Sequence, residues 1–283
     1  MASIIVPAHN EAGVIADTLR ALLGQLAEQD EVIVVVNGCT DATESIARGF
    51  EPRIRVIHSP IPSKVAALNL GDQHATRFPR VYLDADVVLK DGALARIKSA
   101  LNGGAWLAAS PEPEMDLSAS SWAVRAYYDI WLSLPYCRSG MIGAGAYALS
   151  EQGRQRFAAF PDVIADDGYV RALFKEHERG KVTGAVAVVR APASLRWLLK
   201  IKTRSRLGYR QLAMAFPGLL GNEEKAYGSG IRAVVRNPLK WPGAAVYLYV
   251  NLVSRFLAAR RLRNLAQYRW EKDVSSRQQR AAG

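Results

Sequence analysis

Polar and acidic clusters stand where short apolar runs stop. Pro7-Ala8-His9-Asn10-Glu11 follows Ala2–Val6, Asn37-Gly38-Cys39-Thr40-Asp41 follows Val32–Val36, and Asp84-Ala85-Asp86 follows Val81–Leu83. The first two clusters suit loops and helix caps as readily as ligand contacts. The third is different. Two carboxylates at i and i+2 after a buried strand repel each other unless a cation or hydrogen bonds compensate. A hard divalent ion, Mg2+ or Mn2+, shared with a diphosphate is their natural partner, so Asp84 and Asp86 are candidate metal ligands. Lys64 sits in the first turn of an expected helix, where a cation opposes the helix dipole; a nearby diphosphate removes that oddity. A further acidic pair, Asp166-Asp167, opens another helical pattern.

These residues need a frame that brings strand ends together. Apolar runs at Ala2–Val6, Val32–Val36, Ile54–Ile57, Val81–Leu83 and Trp106–Ala109 read as strands. Between them lie helical spacings: Val14 to Leu23, a segment capped by Thr40 or Asp41 with Glu44 completing a capping box, a segment capped by Ser63, and Ala93–Leu101. This alternation predicts an α/β fold, an open and mostly parallel sheet with helices on both faces. Val32–Val36 shows no polar alternation, the pattern of a strand covered on both sides. Ligands then belong at the carboxyl ends of the strands near a switch point. Pro111-Glu112-Pro113 reads as a loop, 118–133 as a helix with mostly core aromatics (Trp122, Tyr127, Tyr128, Trp131), Ala146–Leu149 as an apolar run, 166–176 as a helix and Val182–Val189 as a strand. From Leu195 onward, helical segments are interrupted by Pro217-Gly218, Gly228–Gly230, Asn237-Pro238 and Pro242-Gly243.

The composition bounds the class. With 283 residues, 49% hydrophobic and 22% charged, the chain is neither disordered nor low-complexity. Cys39 and Cys137 form no CxxC or zinc spacing, which leaves a reducing compartment as the expectation. The +11 net charge is uneven. Residues 1–195 carry 19 Lys/Arg against 22 Asp/Glu, and residues 196–283 carry 18 against 4. A strongly basic last third suits phosphates: a nucleoside diphosphate, anionic lipid or nucleic acid.

Together, Ile4-Ile5-Val6-Pro7-Ala8-His9-Asn10-Glu11, Asn37-Gly38-Cys39-Thr40-Asp41, Lys64-Val65-Ala66-Ala67-Leu68-Asn69-Leu70-Gly71 and Tyr82-Leu83-Asp84-Ala85-Asp86 resemble glycosyltransferase family 2 in order and spacing. The resemblance covers about residues 3–190. It implies a GT-A fold and inverting transfer of a sugar from a nucleotide diphosphate donor, a UDP-sugar as the prior. It also implies that Pro7, His9 and Glu11 line the nucleoside pocket, Lys64 approaches the nucleotide or its phosphates, Asp84 meets ribose or the metal shell, and Asp86 ligates the metal. Asn37 stands where the family usually has a base-contacting aspartate. An amide both donates and accepts, which leaves the base open. The family's acidic pair, usually Glu-Asp, matches Asp166-Asp167, with Asp167 taking the catalytic base role by register. Both carboxylates can instead cap a helix, and Asp162 is a weaker candidate. The segment Gly140–Gly145 lies where the family places its acceptor-side loop.

The Gln-x-x-Arg-Trp motif of processive members is missing, since Ala193 precedes Arg196-Trp197. In the nearest basic cluster, Lys202-Thr203-Arg204-Ser205-Arg206, Arg204 and Arg206 can hold a leaving diphosphate or form a solvated helix face. The expected division is a catalytic domain at 1–195, with a donor part about 1–110 and an acceptor part about 111–195, and a helical basic region at 196–283 with a disordered tail. The run Trp241–Ala259, followed by Arg260-Arg261-Leu262-Arg263, suits an interfacial helix on an anionic membrane surface. A helix packed on the catalytic domain or in a homodimer is the other reading. The expected acceptor is a hydroxyl or phosphate of a glycan or lipid-linked group, in glycan, cell-envelope or lipid-linked saccharide synthesis. With no targeting segment or long apolar span, the expected place is the cytoplasm, peripheral on the inner face of the membrane. A nucleotidyltransferase usually carries a Gly/Arg-rich loop after the first strand, where this chain has PAHNEAG. No nucleic-acid partner is expected, because the basic third lacks a recognisable binding motif.

Overall fold

The computed structural model describes residues 1–134, 137, 141, 144–222 and 237–263. Among these, eight strands form one sheet: β1 (Ser3–Ala8), β2 (Glu31–Asn37), β3 (Arg55–Ser59), β4 (Arg80–Leu83), β5 (Val87–Leu89), β6 (Ala108–Asp116), β7 (Ala146–Leu149) and β8 (Arg179–Arg190). Their order is β3-β2-β1-β4-β7-β6-β8-β5. β3, β2, β1 and β4 run parallel. β7 then runs antiparallel to both β4 and β6, and β8 is parallel to β6 but antiparallel to β5. The parallel half is thus the one the strand–helix alternation predicts, and the chain reverses beyond it. β1 has β2 on one side and β4 on the other, so the switch point lies at their carboxyl ends.

The helices are α1 (Ile15–Leu23), α2 (Thr43–Arg48), α3 (Lys64–His74), α4 (Ala93–Asn102), α5 (Trp122–Ser133), α6 (Glu151–Arg154), α7 (Asp166–Leu173), α8 (Leu195–Ala215) and α9 (Trp241–Leu262). The unbroken apolar strands follow from two covered faces. Ile4, Val6, Val34 and Val36 pack with Ile15 and Leu19 of α1 and Leu94 of α4. Their alternates Ile5, Ile33 and Val35 pack with Val65 and Leu68 of α3. Each such fully buried aliphatic side chain contributes about 1.5–3 kcal/mol relative to exposure. A third cluster joins Val124 and Tyr127 of α5 to Leu198 of α8 and Val250 of α9.

Four local expectations change. Pro111-Glu112-Pro113 lies inside β6, with a register shift between Pro111 and Glu112. β7 pairs only with Ala108 and Ala109, so from Ser110 onward β6 has β8 alone as its neighbour, and prolines are tolerated on such an edge. The capping box at α2 does not form. Its N-cap is Ala42, Asp41 instead accepts from the Thr43 amide, and Glu44 pairs with Arg48 and His58. Ser63 does cap α3, accepting from the Ala66 amide at 3.2 Å. Pro242-Gly243 does not interrupt a helix but opens α9, where proline's fixed φ is compatible with the first turn. Trp122 is 64% exposed, whereas Tyr127 and Tyr128 are buried as expected. Gly228–Gly230, residues 140, 142 and 143 of Gly140–Gly145 and the tail lie outside the described residues.

Candidate active site

The carboxyl ends of β1, β2 and β4, the start of α3 and α7, and one side of α8 and α9 surround a single cleft of about 1720 Å³. Pro7, His9, Glu11, Asn37, Lys64, Asp84, Asp86, Asp166, Asp167, Arg204 and Arg206 all line it. Residues remote in sequence therefore converge, as a parallel sheet with a switch point requires.

The β1 and β2 ends are tied to each other. The Asn10 side chain accepts from the Thr40 amide at 2.7 Å, with Asn10 itself at φ +53°. The Glu11 amide donates to Thr43 Oγ1 at 2.6 Å, and His9 Nδ1–H donates to the Asn37 carbonyl at 2.6 Å. Asn37 is 2% exposed, and its Oδ1 finds no hydrogen-bond partner among the described residues. A buried unpaired carbonyl costs about 1–3 kcal/mol, which an N–H donor at the cleft would recover.

The acidic floor is organised by Lys64. Its ammonium lies 2.7 Å from Asp84 Oδ1 and 3.1 Å from Asp166 Oδ1. Burial alone would lower its pKa, but Asp166 and Asp84 outweigh burial and raise it. Lys64 is thus placed first against carboxylates rather than against phosphate alone, and this resolves the unfavourable first-turn position. The Asp84 carboxyl is pushed up by burial and by Asp86 and Asp166, despite the pull of Lys64. The Asp84 amide donates to the Gly145 carbonyl at 2.7 Å. Gly145 has φ +75°, and a Cβ there would lie 2.5 Å from Val87 Cγ2 and 3.3 Å from Asp84 Oδ2. The close approach of β7's lead-in to Asp84 therefore requires glycine.

α7 begins at Asp166, and its N-cap Ala165 makes no side-chain cap bond. Asp167 Oδ1 accepts from the first-turn Gly168 amide at 2.8 Å, so this carboxylate partly serves the helix start as well as facing the cleft. Asp166 is buried and accepts from Tyr147 Oη at 3.1 Å. Asp167 is half-buried, with its carboxyl pushed up to about 6 by burial and by Asp166, against the pull of Lys64 and Arg171. Gln211 of α8 holds the loop before α7, accepting from the Ile164 amide at 2.8 Å. Gly208 lets α8 approach, since a Cβ there would lie 2.9 Å from Ala165 Cβ. Asp162 lines the cleft but is exposed, and its carbonyl accepts from Gln211.

Arg206 is not simply a cleft cation. Its Nε donates to Ser254 Oγ at 2.8 Å and its guanidinium also meets Asn251 Oδ1, so it ties α8 to α9. Sequence reasoning missed Tyr147, which looked like an ordinary strand aromatic, and Lys202, noted only as part of a basic cluster.

For a divalent ion the donor set fits. Asp84 and Asp86 offer hard carboxylate oxygens at the cleft. Among the described residues no three His, Cys, Asp or Glu side chains converge on one point. An ion held by one or two carboxylates is ordinarily completed by phosphate oxygens and water.

The fold is that of GT-A glycosyltransferases. Residues 3–111 match the family model described as Glycosyl transferase family 2, the family whose motifs the chain resembles. The mannosyltransferase PcManGT from Pyrobaculum calidifontis, in complex with GDP-Man and Mn2+, superposes with TM-score 0.58 at 21% identity, covering 95% of this chain and 76% of that one. S. aureus TarS 1-349 in complex with UDP-GlcNAc superposes with TM-score 0.54 at 12% identity, covering 95% and 93%. At these identities the likeness is one of fold. No curated protein matches this chain.

Proposed function

We propose that the protein is an inverting glycosyltransferase that moves a sugar from a nucleotide diphosphate sugar to an acceptor hydroxyl, with Asp167 as general base. The observation that carries this reading is the convergence of Asp167 and Asp166 with Asp84 and Asp86 in one cleft, bridged by Lys64. The base must accept a proton at neutral pH, and a carboxyl raised to about 6 is better matched to that task than an ordinary one. Asp166 is held by Tyr147 and Lys64, which suits it to orient the pair rather than to move a proton.

The donor's base is assigned to the β1–β2 end, with Pro7, His9, Glu11 and the unpaired Asn37 Oδ1. Uracil and guanine both present a ring N–H that satisfies this acceptor, and the two structural neighbours carry GDP-Man and UDP-GlcNAc. Asp84 and Asp86 would hold Mg2+ or Mn2+. When bound, such an ion neutralises charge that develops on the departing diphosphate. Arg204, with Arg206 beside it, adds positive charge on the facing helix.

The same reading places the enzyme at an anionic membrane surface. α9 exposes Trp241, Leu248, Tyr249, Leu252 and Phe256 and ends in Arg260 and Arg261. An apolar stripe flanked by arginines is the pattern of a helix lying in the lipid interface. Among the described residues no helix is long and apolar enough to cross a membrane.

Ligand binding raises apparent stability by mass action. A melting panel of nucleoside diphosphates and nucleotide sugars, with and without Mn2+, should show metal-dependent stabilisation by one nucleotide series. No shift from any nucleotide would contradict the reading.

A further inference from the structure

Lys202 occupies an unusual setting. Its ammonium lies over three rings of α5, 4.6 Å from the Trp131 centroid, 5.2 Å from Tyr127 and 5.4 Å from Tyr128. Among the described residues no carboxylate pairs with it. Its titratable neighbours are Cys137, which favours the charged form, and, more weakly, Arg206, another cation. Aromatic faces attract a cation, but they do not neutralise it. A partly buried ammonium without a carboxylate partner is costly, so a ligand that brings an anion to it gains more than it would at a solvated lysine.

The ammonium lines the same cleft as the acidic floor, beside Arg204 and Arg255. The carboxylates reach the cleft from the β4 end and α7, and α8 and α9 add cations to those of Lys64, Arg171 and Arg190. Two further lining residues, Leu248 and Leu252 of α9, are apolar and 59% and 55% exposed. Cationic and apolar surface thus meet on one wall. The donor's nucleoside is assigned to β1 and β2, whereas Lys202 and these leucines belong to the helical side.

Resting on the glycosyltransferase reading of the cleft, we propose that Lys202 binds the phosphate of an amphiphilic acceptor whose apolar chain lies along Leu248 and Leu252. Burial, helped by Arg206 and opposed by Cys137, pushes the Lys202 ammonium down to about 8. A bound phosphate restores the full charge and converts the penalty into a charge-assisted hydrogen bond.

The test uses the full chain and calorimetric titration with n-octyl phosphate, inorganic phosphate and n-octyl glucoside, alongside UDP and GDP with Mn2+. Wild-type protein should bind octyl phosphate more tightly than either inorganic phosphate or octyl glucoside. Lys202→Met should weaken octyl phosphate by about tenfold to 100-fold, the range for a hydrogen bond to a charged group, and leave nucleoside diphosphate affinity unchanged. Leu252→Gln, on an exposed face that no core residue shares, should weaken octyl phosphate but not inorganic phosphate. Equal octyl phosphate affinity in wild type and a folded Lys202→Met variant would overturn the proposal. So would inorganic phosphate binding as tightly as octyl phosphate, since the anion would then need no chain. A parallel loss of nucleoside diphosphate binding in Lys202→Met would assign the cation to the donor instead. Failure of wild-type protein to bind any nucleoside diphosphate is a separate outcome: it removes the parent reading and, with it, the acceptor assignment.

Discussion

Lys64 Nζ sits 3.1 Å from Asp166 Oδ1, so the first residue of α3 fastens the first residue of α7. The same ammonium reaches Asp84 at 2.7 Å, and one cation thereby sets the spacing between the strand-end carboxylates and the acidic pair. Lys64→Met would leave these carboxylates facing one another without their counter-charge. The expected loss is about 1–3 kcal/mol, less than for a fully buried pair, because Asp84 is 34% exposed. The deficit should be present at neutral pH and shrink as falling pH protonates the freed carboxylates. Melting curves of both proteins across pH check this; identical curves throughout would show that Lys64 does not hold the cluster.

Asp86→Ala should keep the wild-type melting temperature in the absence of ligand and lose most of the Mn2+-dependent gain in nucleoside diphosphate affinity. Removing one of two hard oxygen donors weakens the ion more than the nucleoside contacts. Titration with and without Mn2+ measures the difference. An undiminished metal effect would remove Asp86 from the metal site.

Asp167 works as a base only when ionised, and its carboxyl is pushed up to about 6 by burial and Asp166. The folded protein favours its protonated form relative to an ordinary carboxyl, so activity is present above that value and lost below it. On the acid side kcat/KM should fall about tenfold per pH unit below about pH 6, reporting the free enzyme. A limb near about pH 4, the ordinary carboxylate value, would contradict the assignment.

Much of this site is legible in the sequence because buried β-branched strands end abruptly in polar residues. Asn37, Asp84 and Asp86 announce themselves in that way, and all of them line the cleft. What local pattern hides is of two kinds. One is context: Pro111 and Pro113 lie in a strand because β7 stops pairing before them, a fact of the neighbour rather than of the prolines. The three-residue β5, Val87–Leu89, is too short to carry a period and exists through its pairing with β8. The other is partnership. That Lys64 meets Asp166, or that Lys202 lies over Tyr127, Tyr128 and Trp131, depends on packing of elements far apart in the chain. Arg206 shows the converse: its type suggested phosphate, yet Asn251 and Ser254 of α9 engage it.

The α9 arginines give a further expectation. Replacing Arg260, Arg261 and Arg263 by glutamine should reduce flotation with anionic vesicles by up to several kcal/mol, at about 1 kcal/mol per basic residue near the surface. Salt should act in the same direction by screening. Nucleotide binding should stay as in wild type. Wild-type protein that fails to float with anionic vesicles at low salt would make the exposed face of α9 a protein contact instead.

The most direct measurement is nucleoside diphosphate release from the nucleotide sugar that stabilises the protein, in wild type, Asp167→Asn and Asp166→Asn. Asparagine keeps the shape of aspartate but cannot take the proton. Asp167→Asn should bind the donor as wild type does and lose turnover by about 100-fold or more. Normal turnover in Asp167→Asn, with or without loss in Asp166→Asn, would contradict the account.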